Sequence, residues 1–288
     1  MPETPAAGDF EPIRPDEKGP GPDLSLIALK AGRVGFANYA YVVADGASSD
    51  AVVIDPGWEP SFLSDSLAAI GLRPAAVLLT HGHRDHTNAA PAISKVTDCP
   101  VHMSGADADH FGFDCERLIR LEGSQTLRFG SITVDALATP GHTAGSISYR
   151  IGGCLFTGDT LFSEGCGLSN PQNGGGDTAA LFRSINHLRG TLSPNCRIYP
   201  GHRYREPIGQ TLGALERGNI YLRFRDLGAF VRFCERPARM NQLPPAIGSV
   251  PTMKPELAIL ASPQSLRTAP PAPQHPPETE DLALRRAC

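Results

Sequence analysis

The chain has 288 residues, 41% of them hydrophobic and 19% charged, enough for one large domain with a proper core or for two small ones. Its net charge of −4 leaves no global basic character to recruit nucleic acid or an anionic membrane, and lysine occurs only at Lys18, Lys30, Lys95 and Lys254. The 7 cysteines (99, 115, 154, 166, 196, 234 and 288) show no CxxC and no framework spacing. With no secretory signal and no apolar run of about 18 residues in view, a cytoplasmic protein with reduced thiols is expected.

Prolines mark the ends. Of 27 prolines, 6 lie in 1–23 and 10 in 244–288, with little apolar material around Pro270, Pro271, Pro273, Pro276 and Pro277. Both segments are expected to be disordered, with at most a brief helix at 256–261, and the folded unit to span 24–243. Within it, Tyr39–Ala44 and Ala51–Ile54 flank Asp45-Gly46-Ala47 as a hairpin. Helical spacing follows over Ser61–Gly71 through Phe62, Leu63, Leu67 and Ile70. Ala76–Leu79 is an apolar strand ending at Thr80. Gln125–Phe129 and Ile132–Ala138 form a second hairpin across Gly130-Ser131. Ser146–Ile151 and Cys154–Phe156 read as strands. Thr178–Arg189 is an amphipathic helix with Leu181, Phe182, Ile185 and Leu188 on one face, and Arg197–Tyr199 is a further strand. The succession predicts a mixed, layered α+β fold.

Three of the nine histidines fall in six residues, His81-Gly82-His83-Arg84-Asp85-His86, directly after a buried strand. Histidines two apart in a turn aim both rings at one point, while Asp85 and His86 on the next turn reach a second point. Imidazoles with a carboxylate suit zinc, manganese or iron. Thr139-Pro140-Gly141-His142, Phe156-Thr157-Gly158-Asp159 and Tyr199-Pro200-Gly201-His202 repeat one local grammar: a strand ends, a glycine gives backbone freedom, and a metal-competent side chain follows. Core packing does not explain that repetition, since so many adjacent ring nitrogens would need partners. His102, His110, His187 and His275 read as ordinary surface or core histidines. Cys166 reads as a packing residue.

THGHRDH resembles the HxHxDH signature of the metallo-β-lactamase superfamily, with His142, Asp159 and His202 in the later motifs in the right order. The resemblance covers most of 24–243. It implies a four-layer αβ/βα sandwich with a short C-terminal helical extension and the site at one edge between the sheets. It implies two divalent ions, zinc first with iron or manganese compatible. His81, His83 and His142 would hold the first, Asp85, His86 and His202 the second, and Asp159 would bridge both. A shared water, its pKa lowered toward about 7, would attack a carbonyl carbon, with Asp85 orienting it. A thiolate leaving group needs little protonation, because thiols ionise near pH 8–9.

The stretch Gly158–Gly167 and the segment Asn219-Ile220-Tyr221-Leu222-Arg223 resemble the hydroxyacylglutathione hydrolase, glyoxalase II, and make Asn219, Tyr221 and Arg223 candidate substrate-binding residues. Leu168, Ser169 and Asn170 depart from that enzyme, which presents a lysine and a tyrosine there. The better overall match is to the glyoxalase-like zinc hydrolases found with trans-acyltransferase polyketide synthases. That match implies hydrolysis of acyl thioesters on a carrier protein or small thiol, in polyketide biosynthesis. Six arginines between 215 and 240 (217, 223, 225, 232, 236 and 239) against Glu216, Asp226 and Glu235 offer a surface for an acyl carrier protein, or a solvated helix face. Two rival readings are a mononuclear iron persulfide dioxygenase, which Leu168 disfavours, and a non-catalytic scaffold braced by metal. The sequence leaves the oligomeric state open.

Overall fold

The computed structural model describes residues 23–33, 36–57, 60–236 and 256–260. The expected disorder of 1–23 and 244–288 otherwise lies outside the described residues. Strands β1 (Leu24–Arg33), β2 (Phe36–Asp45) and β3 (Asp50–Ile54) form an antiparallel meander. The expected hairpin is present, its turn pinned where Asp45 Oδ1 accepts from Ala47 N at 2.9 Å. Helix α1 (Pro60–Ala69) leads to β4 (Arg73–Leu78), then α2 (Arg84–Thr87), α3 (Ala90–Thr97) and β5 (Val101–Ser104). Next come α4 (Gly105–Phe111), β6 (Leu118–Leu121), the expected hairpin β7 (Gln125–Phe129) and β8 (Ile132–Ala138), then β9 (Ile147–Ile151) and β10 (Cys154–Gly158). Helix α5 (Thr178–Thr191) is followed by β11 (Arg197–Pro200), β12 (His202–Arg203) and β13 (Gln210–Thr211). The C-terminal helical extension consists of α6 (Leu212–Gly218), a 3-10 turn at Ile220–Arg223 and α7 (Leu227–Cys234), and β14 (Glu256–Leu260) closes the described chain.

Among the described residues the strands make two sheets. One has eight strands in the order β14-β1-β2-β3-β4-β5-β6, with β12 pairing β2; the other has six, in the order β13-β11-β10-β9-β8-β7. Leu26, Val43, Val52, Ile54 and Leu78 of the first sheet meet Ile132, Val134, Tyr149, Ile151 and Phe156 of the second in one buried cluster. The outer face of the first sheet (Val42, Val53, Val77, Met103) packs on Leu63, Leu67 and Ile93 of the helices. The outer face of the second (Leu155, Ile198) packs on Leu181, Ile185, Leu188, Leu215 and Phe230. These are the four layers, helix on sheet on sheet on helix. Covered on both faces, β3 and β4 read as continuous apolar runs and not as alternation. Each such side chain contributes roughly 1.5–3 kcal/mol by leaving water.

Where at most a brief helix is expected at 256–261, the described residues 256–260 are instead the strand β14, antiparallel to β1 from Leu26 opposite Leu260 to Lys30 opposite Glu256. A sheet edge offers a row of unpaired backbone groups, and a strand remote in sequence satisfies them. Local periodicity carries no trace of such a pairing. No helix among the described residues is long and apolar enough to cross a membrane.

Two buried tyrosines tie the sheets together at one edge. Tyr41 Oη donates to Pro200 O at 2.6 Å, and Tyr149 Oη donates to Leu79 O at 2.9 Å. Gly201 adds a backbone stitch, its N–H donating to Gly158 O and its carbonyl accepting from Tyr39 N, each at 2.9 Å. The carboxyl ends of β4, β8, β10 and β11 are thereby held at one place.

Candidate metal centre

Each of those strand ends delivers a side chain from the sequence pattern. His81 and His83 follow β4, and α2 presents Asp85 and His86 one turn later. His142 lies after β8, Asp159 directly after β10, and His202 opens β12. His81, His86 and His202 are buried, and all seven converge.

The ligand atoms form two groups. In the first, His83 Nδ1 lies 3.0 Å from His81 Nε2 and 3.1 Å from His142 Nε2, and His142 Nε2 is 3.6 Å from Asp159 Oδ2. In the second, His86 Nε2 lies 3.3 Å from His202 Nε2 and 3.6 Å from Asp85 Oδ2, with His202 Nε2 3.3 Å from Asp85 Oδ2. Asp159 belongs to both, since its Oδ2 is also 3.3 Å from His202 Nε2. Ring nitrogens that face one another this closely need a proton or a cation between them. Asp159 Oδ1, buried and without a hydrogen-bond partner, points to the same requirement. A zinc–nitrogen bond of about 2.0–2.1 Å puts tetrahedral ligands about 3.3–3.4 Å apart, close to these separations. The donor set fits a pair of cations.

A family model described as the metallo-beta-lactamase superfamily matches residues 33–202. The chain belongs to the metallo-β-lactamase superfamily. Within it, the chain is similar to a probable polyketide biosynthesis zinc-dependent hydrolase, BaeB, of Bacillus velezensis, at 37% identity over 70% of this chain and 88% of the relative. It is also similar to the corresponding protein PksB of Bacillus subtilis, at 36% identity over 72% of this chain and 92% of the relative. Among solved structures it resembles ETHE1 from Myxococcus xanthus with a TM-score of 0.63 and 31% identity, covering 72% of this chain and 88% of that one. The superfamily fold expected from the motifs is the fold present.

Sequence reasoning missed Asp55, which follows β3 with a left-handed backbone (φ 49°). Its buried carboxylate accepts from Thr80 N at 2.7 Å through Oδ1, and through Oδ2 from Thr80 Oγ1 at 2.5 Å and His86 Nδ1 at 2.9 Å. Thr80 Oγ1 spends its hydrogen on Asp55, so it accepts from His81 Nδ1, 3.1 Å away. His142 Nδ1 donates to Leu168 O at 2.7 Å. In all three rings the proton therefore sits on Nδ1 and the Nε2 lone pair faces the centre. Asn38 Nδ2 donates to Asp85 Oδ2 and to Asp85 O, each at 3.0 Å, fixing that carboxylate. A signal for Asp55 lay only in its place after the apolar run Ala51–Ile54.

Charge divides the two groups. Burial holds His81 well below the usual histidine range and lowers His83; it brings His142 down to about 4. Burial also opposes charge on His86 and His202, but facing carboxylates outweigh it. Asp85, Asp159 and Asp55 raise His86, and Asp159 with Asp85 lifts His202 to about 10. Burial pushes the carboxyls of Asp85 and Asp159 upward, and the facing histidines reverse this and leave both below the ordinary carboxylate value.

The three residues expected to bind substrate have other work. Asn219 is fully buried; its Nδ2 donates to Phe162 O at 3.0 Å and Gly165 O at 2.9 Å, and its Oδ1 accepts from Tyr221 N at 3.0 Å. It clips the helical extension to the loop after Asp159. Tyr221 packs edge-on against Phe233 at 5.2 Å, and the Arg223 guanidinium donates to the Arg217 carbonyl near the end of α6. Cys166 is buried among the apolar side chains under α5, as expected of a packing residue. His110, expected to be unremarkable, accepts from Gly174 N at 2.9 Å. Gly201 is confined to glycine by close approach, because a Cβ there would meet His86 Cε1 at 2.5 Å.

Proposed function

We propose that this chain is a zinc-dependent hydrolase of acyl thioesters, carried on a protein or on a small thiol, with polyketide biosynthesis as its setting. His81, His83, His142 and Asp159 would hold one cation, and Asp85, His86, His202 and Asp159 the other. The observation that carries the reading is the position of Asp159 Oδ2, 3.6 Å from a ring nitrogen of one group and 3.3 Å from a ring nitrogen of the other. Similarity to zinc-dependent hydrolases by name supports the chemistry. Two divalent ions supply an activated water at neutral pH and a Lewis acid for the carbonyl oxygen.

The chain's own groups orient that chemistry. Asp85, locked by Asn38, accepts a hydrogen bond from the attacking water and sets its line of approach. Water adds to the acyl carbon and its protons pass to solvent, the carbon–sulfur bond breaks, and sulfur leaves with the electron pair as a thiolate, leaving the acyl group as a carboxylate. Thiols ionise near pH 8–9, so the leaving group requires no acid from the protein. Phe162 and Tyr204, with ring centroids 5.4 Å apart and 6.1 and 6.4 Å from the His202 ring, make an aromatic wall suited to the acyl or thiol arm. The exposed Arg217 and Arg232 are the arginines offered to the acidic face of a carrier protein.

The test is a panel of lactoylglutathione, acyl-CoA, acyl-cysteamine and acyl-carrier protein, assayed with zinc-loaded protein for thiol release. Turnover of at least one thioester, abolished by chelation and restored by zinc, is expected. Oxygen uptake on glutathione persulfide with no thioester turnover would replace this reading with a dioxygenase.

A further inference from the structure

We infer that Asp107 is a positioning residue that sets the spacing of the first imidazole group from behind. Helix α4 places Asp107, His110 and Phe111 at i, i+3 and i+4, one face of the helix, and all three touch the loops of the centre. The Asp107 carboxylate is fully buried. Its Oδ2 accepts from Gly82 N and from Thr143 Oγ1, each at 2.8 Å, and its Oδ1 accepts from Gly145 N at 2.7 Å. Gly82 lies between His81 and His83, and Thr143 follows His142. One carboxylate therefore joins the two loops that bring His83 Nδ1 within 3.1 Å of His142 Nε2.

The rest of the helix face works to the same end. The Phe111 ring stands edge-on to His83 at 5.3 Å and lies so close to the loop that a Cβ on Gly82 would fall 2.0 Å from Phe111 Cδ2. Only glycine lets the loop lie flat on that ring while its N–H reaches Asp107. His110 anchors Gly174, whose carbonyl accepts from Ala144 N at 2.7 Å, bracing the His142 loop from a third side. A buried carboxylate with no ion pair among the described residues is costly unless donors saturate it, and here they come only from ligand-bearing loops. The second group is held separately, His86 by Asp55 and Asp85 by Asn38. Loss of Asp107 should therefore weaken one cation position and spare the other, which a general loss of structure would not do.

This rests on the reading that the two groups hold cations, and the test separates the two. Full-length wild type, Asp107→Ala, Asp107→Asn and Thr143→Val are equilibrated with zinc buffered at limiting concentration. Affinity is read by chelator competition, occupancy at each position by anomalous scattering, and folding by circular dichroism. In Asp107→Ala the position at His81, His83 and His142 should lose about 10- to 100-fold in affinity, as removal of such outer partners generally costs. The position at Asp85, His86 and His202 should be unchanged. If Asp107→Ala does not fold, Thr143→Val, which leaves the carboxylate two donors, should show the same one-sided loss, smaller in size. Equal loss at both positions, or none at either in folded protein, overturns the inference. Wild type that takes up zinc at neither position overturns the reading beneath it.

Discussion

Asp55 Oδ2 and His86 Nδ1 lie 2.9 Å apart, both buried, and the same oxygen accepts from Thr80 Oγ1 at 2.5 Å. One carboxylate thus fixes the proton on His86 directly and on His81 through Thr80. Replacing Asp55 by Ala should lower zinc affinity of the second group by about 10- to 100-fold and weaken the first group through the lost Thr80–His81 relay. Thr80→Val should act mainly through His81, because the Asp55–His86 bond remains. Chelator competition on the two variants checks this, and an Asp55→Ala protein that binds both ions as tightly as wild type would refute it.

The charge asymmetry predicts unequal proton release. His81, His83 and His142 are held low by burial and need shed no proton to bind a cation at neutral pH. His202 is lifted to about 10 by Asp159 and Asp85, so metal-free protein at pH 7 keeps a proton there, and facing carboxylates raise His86 as well. Binding at the second group must expel the His202 proton. Affinity there should rise with pH, by up to about tenfold per unit for each proton released, and level off near the His202 value; the first group should be nearly flat over the same range. Calorimetry in buffers of different ionisation enthalpy reads the protons directly. Equal release for both ions would contradict the assignment.

Much of this was legible in the residues, for identifiable reasons. The hairpin of β7 and β8 has the expected boundaries, because alternating apolar positions flank Gly130-Ser131 and the strands pair locally. His81-Gly82-His83 and Asp85-His86 were visible because several ligands crowd one short stretch. Asp55 and Asp107 were not, since each is a single carboxylate in an ordinary context and acts only through residues 25 or more positions away. Strands β5 and β6 and helix α4, of 4, 4 and 7 residues, are too short for periodicity to register. That the Asn219 amide clips two backbone carbonyls was not legible either, because a motif position does not disclose which partners its side chain meets.

Asn219→Ala should therefore behave as a stability variant. It strands the buried Phe162 carbonyl, at a cost of roughly 1–3 kcal/mol for an acceptor left unmade, while Gly165 O keeps its bond from Phe162 N at 2.9 Å. A lower denaturation midpoint is expected, with KM for the thioester little changed at temperatures where the protein is folded. A large KM increase at unchanged stability would restore it as a substrate contact.

Cys166→Ala tests the absence of a covalent step. Cys166 is buried in the apolar packing beneath α5, so its removal should leave kcat within a few-fold of wild type and cost about 1 kcal/mol of stability through the small cavity. Loss of turnover in folded, zinc-loaded Cys166→Ala protein, or an acyl adduct on the thiol by mass spectrometry, would point to a nucleophilic cysteine instead.

The most direct measurement is a crystal structure of zinc-loaded protein with anomalous data collected at the zinc edge. Two peaks per chain are predicted, one at His81, His83 and His142 and one at Asp85, His86 and His202, with the Asp159 carboxylate reaching both. No peak, or a single ion with the Asp85, His86 and His202 side chains turned away from it, would contradict the account.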